Sequence, residues 1–236
     1  MDGWVRALLL GLVLMGSAVV AGAQAQAPPP APGDGPIYSV IYVEVMPTSK
    51  AAALDLLKRY REAARTEDGN LRGEVVQRIG QPHQFAVLEI WRDLRAFEAH
   101  GQGGNATGMR AKIVAIRNAP TDERVHTGLS VGPLASRPAA DAIYVVTHVD
   151  VIPPRKDDGV AAVKELGDDS RGQDGNVRFE VLQQTNRPNH FTVVEIWKDG
   201  KALEAHSMAA STRRFRDKLA PVTGALYDER MYKAID

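Results

Sequence analysis

From Ile37 to Val45 apolar side chains recur at every second position, with Ile37, Ser39, Ile41, Val43 and Val45 on one face and Tyr38, Val40, Tyr42 and Glu44 on the other. That period predicts a strand. Pro47 ends it, and Thr48 or Ser49 is placed to cap a helix from Lys50 to about Thr66, in which Leu54, Leu57 and Tyr60 fall at helical spacing. Asp68-Gly69-Asn70 is a turn signal, followed by a strand from Leu71 to Ile79, a Gly-Gln-Pro-His turn and a third strand from Phe85 to Trp91. Asp93 heads a short helix reaching His100, a further helical piece spans about Ala106 to Arg117, and a last strand starts near Glu123. The order β-α-β-β-α-β is the split βαβ, ferredoxin-like plan of the α+β class.

The whole pattern then repeats. Asp68-Gly69-Asn70 returns as Asp174-Gly175-Asn176, and the same shift of 106 residues carries Glu89-Ile90-Trp91 onto Glu195-Ile196-Trp197 and Glu98-Ala99-His100 onto Glu204-Ala205-His206. No gap is needed, and about a third of the aligned positions are identical, as a tandem duplication requires. Residues 37–131 and 143–236 are therefore two tandem domains, joined by a linker at 132–142. Each sheet has helices on one face and a bare apolar face on the other. The two bare faces are expected to pack against each other, making an intrachain dimeric α+β barrel. Gly159 and Gly167 fall inside the first helix of the second copy, which is expected to be shorter or bent.

Composition adds exclusions. The chain has 236 residues, 44% hydrophobic and 25% charged, with a formal net charge of zero. It thus carries no long-range field for nucleic acid or an anionic membrane. It holds no cysteine, which removes disulfides, thiolate metal sites and cysteine nucleophiles. The apolar run Ala7–Met15 behind Arg6 is shorter than the ~20 residues of a spanning helix and ends in small-x-small sites. Residues 1–27 read as a cleavable signal and 28–36 as a Pro-rich linker, so a periplasmic or secreted location is expected, without membrane attachment after cleavage.

The segment Phe85-Ala-Val-Leu-Glu-Ile-Trp-Arg-Asp-Leu-Arg-Ala-Phe-Glu-Ala-His100 resembles the signature region of antibiotic biosynthesis monooxygenase (ABM) domains, and Phe191 to His206 matches it again. The resemblance covers about residues 37–130 and 143–236. It implies a monooxygenase-like enzyme that oxidises a quinol-type or polycyclic aromatic with O2 and no bound cofactor. It is similar also to haem-degrading proteins. That branch uses an asparagine from its first strand, which none of Tyr42, Glu44, His148 or Asp150 supplies. A ligand-binding or scaffold module on a duplicated ABM fold is the non-enzymatic alternative.

Phe85, Val87, Glu89 and Trp91 share one face of the third strand, and this face is expected to lie under the helices. His100, one short helix later, folds back over it, so that a Glu, a Trp and a His line an apolar pocket. By resemblance His100 and His206 are the candidate bases and Trp91 and Trp197 the walls that hold a ring. Glu89 and Glu195 are candidates to orient a histidine or receive a phenol proton. Tyr42 and His148, at equivalent first-strand positions, are added as substrate contacts, so the second pocket is read as holding both His148 and His206. With Asp150 nearby they lack metal-ligand spacing, and no metal is assigned. Gly101-Gln102-Gly103-Gly104 is expected to loosen the lid of the first pocket, which favours the second copy as the active one. Asn105-Ala106-Thr107 is a glycosylation sequon. The expected partners are a small aromatic and O2, and association of the pseudo-dimer into a further homo-oligomer is left open.

Overall fold

The computed structural model describes residues 35–134 and 137–235. The expected signal and most of the Pro-rich linker lie outside them. The first copy runs β1 (Ile37–Glu44), α1 (Lys50–Ala64), β2 (Asn70–Arg78), β3 (Gln84–Trp91), α2 (Leu94–Gln102), α3 (Gly104–Val114) and β4 (Asp122–Ser130). The second repeats it as β5 (Ile143–Asp150), α4 (Lys156–Arg171), β6 (Asn176–Gln184), β7 (His190–Trp197), α5 (Gly200–Ser207), α6 (Ala210–Leu219) and β8 (Asp228–Ala234). A short 3-10 turn, Pro47–Ser49, leads into α1, and Ser49 at the head of that helix makes no side-chain capping bond.

The eight strands close into one antiparallel barrel in the order β1-β3-β2-β8-β5-β7-β6-β4. Two seams join the copies: β2 pairs with β8 through Val76 and Ala234, and β4 with β6 through His126 and Gln184. The duplicated sheets thus pack face to face and also meet along both edges, which closes the barrel. Alternation along the strands sorts the side chains into layers. Val40, Leu88, Ile90, Val146, Val194, Ile196 and Tyr232 fill the barrel. Phe85 and Val87 pack under α1 and α3, and Phe191, Val193 and Trp197 pack under α4 and α6.

The Asp-Gly-Asn turns have a steric cause. Gly69 and Gly175 sit at φ of 81° and 79°, a region that favours glycine. A Cβ on either would meet Ala96 Cβ at 2.4 Å or Ala202 Cβ at 2.6 Å. The turn therefore presses directly on the helix that carries the histidine. That helix is started by Asp93, or Asp199, whose carboxylate accepts from the backbone N–H of Ala96, or Ala202, at 2.8 Å.

Two expectations fail on packing grounds. Helix α4 is neither shorter than α1 nor cut at its glycines, because both glycines are buried contact points against the sheet. A Cβ on Gly159 would meet Val151 at 2.7 Å and one on Gly167 would meet Val181 at 2.8 Å. The glycine run after His100 does not loosen the first copy either. Helices α2 and α3 break where α5 and α6 break, and the Asn105 side chain ties the junction to the Tyr60 carbonyl and to Glu67 Oε1, both at 3.1 Å.

Candidate active site

In each copy the end of the third strand and the following helix bring the Glu, Trp and His together under the helices. His100 stacks on Trp91 with ring centroids 4.3 Å apart, and His206 on Trp197 at 4.5 Å, both at 25° between planes. Strand alternation puts Glu89 beside Trp91 and Glu195 beside Trp197. The indole N–H donates to the carboxylate at 3.4 Å in the first copy and 2.9 Å in the second.

Beyond this shared frame the copies diverge. In the first, the Tyr60 hydroxyl donates to Glu89 Oε1 at 2.7 Å and lies 2.8 Å from His100 Nε2. The other ring nitrogen, Nδ1, meets Glu67 Oε2 at 2.7 Å. His100 is only 4% exposed, and its two nitrogens are both engaged by the chain. Burial raises the Tyr60 phenol above its ordinary range, with the Glu89 charge adding to it, and burial likewise raises Glu89.

In the second copy Leu166 occupies the position of Tyr60, Gln173 that of Glu67 and Thr147 that of Ile41. No α4 phenol reaches Glu195. His206 Nδ1 meets Gln173 Oε1 at 2.8 Å, and its Nε2 faces Glu195 Oε2 at 3.4 Å. Burial pushes the Glu195 carboxyl up to about 8, against the hydrogen bond from Trp197, and holds His206 down at about 4, helped by the Arg216 charge. Burial thus favours the uncharged form of both partners. His206 and Gln173 also line a surface cleft of about 530 Å³, together with Ala202, Ala205, Lys198 and Lys201.

Two predicted contacts lie elsewhere. Tyr42 pairs across the sheet with Ala86, and His148 with Thr192, so both point into the barrel, on the face opposite Trp91 and Trp197. The second pocket therefore does not hold His148 and His206 together. Tyr42 is flanked instead by the guanidinium groups of Arg124 and Arg230, 5.1 and 4.9 Å from its ring centre. His148 Nε2 lies 3.2 Å from His190 Nδ1. Among the described residues no group of three or more His, Asp and Glu is arranged to hold a metal. Sequence reasoning missed Tyr60, Glu67 and Gln173 as site residues. Tyr60 gave a signal, as a residue of the apolar stripe of α1 that carries a hydroxyl.

Residues 36–112 and 142–218 match the sequence profile described as antibiotic biosynthesis monooxygenase. The chain belongs to the ABM family. Both ABM regions are present, one in each half of the barrel. YcnE of Bacillus subtilis (strain 168), provisionally named a monooxygenase, is 29% identical over 89 residues, which is 38% of this chain and 93% of YcnE. Among solved structures, a protein of Fusobacterium nucleatum, provisionally described as a monooxygenase, overlays 86% of this chain and 93% of its own at a TM-score of 0.77 and 16% identity. An anthrone oxidase-like protein overlays 86% of this chain and 92% of its own at 0.70 and 14% identity. These overlays establish the duplicated ABM barrel as a shared fold.

Proposed function

We propose that this chain is an exported, cofactor-independent monooxygenase of a quinol-type or polycyclic aromatic, working through its second ABM domain. The observation that carries the proposal is the contrast between Tyr60 and Leu166. In the first copy a phenol from the chain itself already sits between the carboxylate and the imidazole, in the pose a phenolic substrate would need. In the second copy that side chain is a leucine, and the same Glu–His pair stands without an α4 phenol.

The chemistry asked of the protein is small. A substrate phenol set against Glu195 and His206 gives up its proton to this pair, while His206 Nδ1 stays bonded to Gln173 facing the surface cleft. The electron-rich anion reduces O2. One oxygen atom enters at a ring carbon, the substrate gives up two hydrogens in all, and these leave with the other oxygen atom as water. Trp197 beneath the imidazole and the closed helix–sheet layer keep bulk water out. The names of YcnE and of the anthrone oxidase-like protein agree with this reaction class.

Oxygen uptake by the full chain with a panel of quinols and anthrones tests it. The expected result is uptake well above the protein-free rate, lowered about 10²-fold or more in His206→Ala and Glu195→Gln, the usual worth of a general base, and kept in His100→Ala. Uptake no faster than without protein, from a folded sample, rejects the enzymatic reading. It would favour the binding module, which the full engagement of both ring nitrogens of His100 already suits.

A further inference from the structure

The middle of the barrel is apolar, but the end where β1 and β2 finish and β3, β4 and β8 begin is polar. Tyr42, Glu44, Arg78, Gln84, Arg230 and Tyr232 face the lumen there, as their cross-strand pairs require. They line a cavity of about 230 Å³. That is below the ~300–1,000 Å³ usual for a drug-sized ligand, so the cavity suits a small molecule. It lies on the opposite face of the sheet from the Trp–His pairs.

Most charges at this end neutralise one another in place. Asp122 accepts from Arg124 Nε and Nη2 at 2.9 and 2.7 Å, and Asp228 from Arg230 Nε and Nη2 at 2.9 and 2.6 Å. Fixed in this way, the two guanidinium groups flank the Tyr42 ring. Two charges are left over. Arg78 Nη1 donates to Gln84 Oε1 at 2.6 Å, and among the described residues no carboxylate pairs with it. The Glu44 carboxylate pairs with no described cation and accepts from two amides, Gln84 Nε2 at 3.1 Å and Asn118 Nδ2 at 2.6 Å. One cation and one anion thus stand apart on the cavity wall, bridged by the Gln84 amide. Its carbonyl faces the guanidinium and its NH2 faces the carboxylate.

The other half of the barrel end is built differently. Gln184 stands for Arg78, Asp150 for Glu44 and His190 for Gln84. The cation is missing there, and the carboxylate is faced by His190 at 3.5 Å, which in turn meets His148 at 3.2 Å. The separated pair therefore belongs to the first half alone. Partly buried charges held away from any counter-charge forgo Coulomb energy, which a ligand carrying both signs would supply.

We propose that this cavity binds a small α-amino acid. The ligand lies alongside Gln84, its carboxylate on the remaining N–H groups of Arg78 and its ammonium on Glu44. Its two charged groups, one carbon apart, present the same order of acceptor and donor as the Gln84 amide. Ala119 and Pro120 complete the lining, so the side chain it accepts is small and apolar. The site needs neither O2 nor the Glu195–His206 pair, and its failure would leave the monooxygenase reading untouched.

Calorimetric titration of the full chain with L-valine, N-acetyl-L-valine and L-valinamide tests it. L-valine is expected to bind saturably, and each analogue, lacking one of the two charges, at least tenfold more weakly, a loss of about 1.4 kcal/mol or more. Arg78→Gln, which installs the residue of the second copy, and Glu44→Gln are each expected to weaken L-valine binding at least tenfold. If either variant does not fold, the two analogues test the same charges on the wild type. No saturable binding of L-valine, an equal affinity for N-acetyl-L-valine or L-valinamide, or an affinity unchanged in both folded variants would overturn the proposal. L-valine binding as expected with no oxygen uptake would instead count against the enzymatic reading alone.

Discussion

Tyr60 donates to Glu89 and meets His100, so one hydroxyl satisfies two groups that are otherwise buried together with little water. Tyr60→Phe leaves both short of a partner and is expected to lower stability by about 1–3 kcal/mol. A urea midpoint that falls at constant slope would show it, while oxygen uptake stays within threefold because the second copy is untouched. An unchanged midpoint would mean that the hydroxyl is not holding the pair. At this scale the sequence was partly legible. Glu89, Trp91 and His100 follow from strand alternation and one short helix. The partner of Tyr60 lies 29 residues away on another element, and only the packed fold selects it. Tyr42 and His148 were misjudged on parity: their strand faces are set by the register with Ala86 and Thr192, which local pattern does not state.

Helix α4 shows how packing overrides propensity. Replacing Gly167 by Ala should gain about 1 kcal/mol in helix propensity. The added Cβ would press on Val181 at 2.8 Å in a filled core, and such overpacking costs about 1–3 kcal/mol. Gly167→Ala is therefore expected to be neutral to destabilising by urea titration, whereas Gly200→Ala, with open space around its Cβ position, is expected to be neutral or stabilising. A Gly167→Ala variant more stable than the wild type would contradict the close helix–sheet contact. The strands, turns and helix heads were legible because each has a local cause: period two, positive φ at Gly69 and Gly175, and a capping aspartate.

The closed barrel makes burial symmetric, but the titrating groups it traps are not. Glu195 is raised to about 8, so the folded chain keeps a proton that an unfolded glutamate releases near pH 4.3. Stability from this group falls as pH rises from about 4.5 to about 8 and then levels off. His126, His148 and His206, each held near 4 mainly by burial, act on the acid side. The unfolded chain takes up their protons near pH 6.5, so the stability they contribute is full above that value and is lost as pH falls toward 4. Urea midpoints are thus expected to be highest at about pH 6.5–7, with an alkaline decline that Glu195→Gln makes shallower, Glu89 being raised as well. An alkaline limb unchanged in Glu195→Gln would refute the raised carboxyl. The tandem repeat made the barrel readable from the sequence. The seams β2–β8 and β4–β6 were not, since they join strands far apart in the chain.

Oxygen uptake by Leu166→Tyr tests the central claim most directly, because this change puts into the second copy the phenol that fills the first. Leu166→Met is the control for volume. The expected result is a folded Leu166→Tyr protein whose uptake drops to the protein-free rate, while Leu166→Met keeps most of the wild-type rate. Wild-type uptake in Leu166→Tyr would contradict the claim that the second Glu–His pair binds a substrate phenol in the place Tyr60 takes in the first.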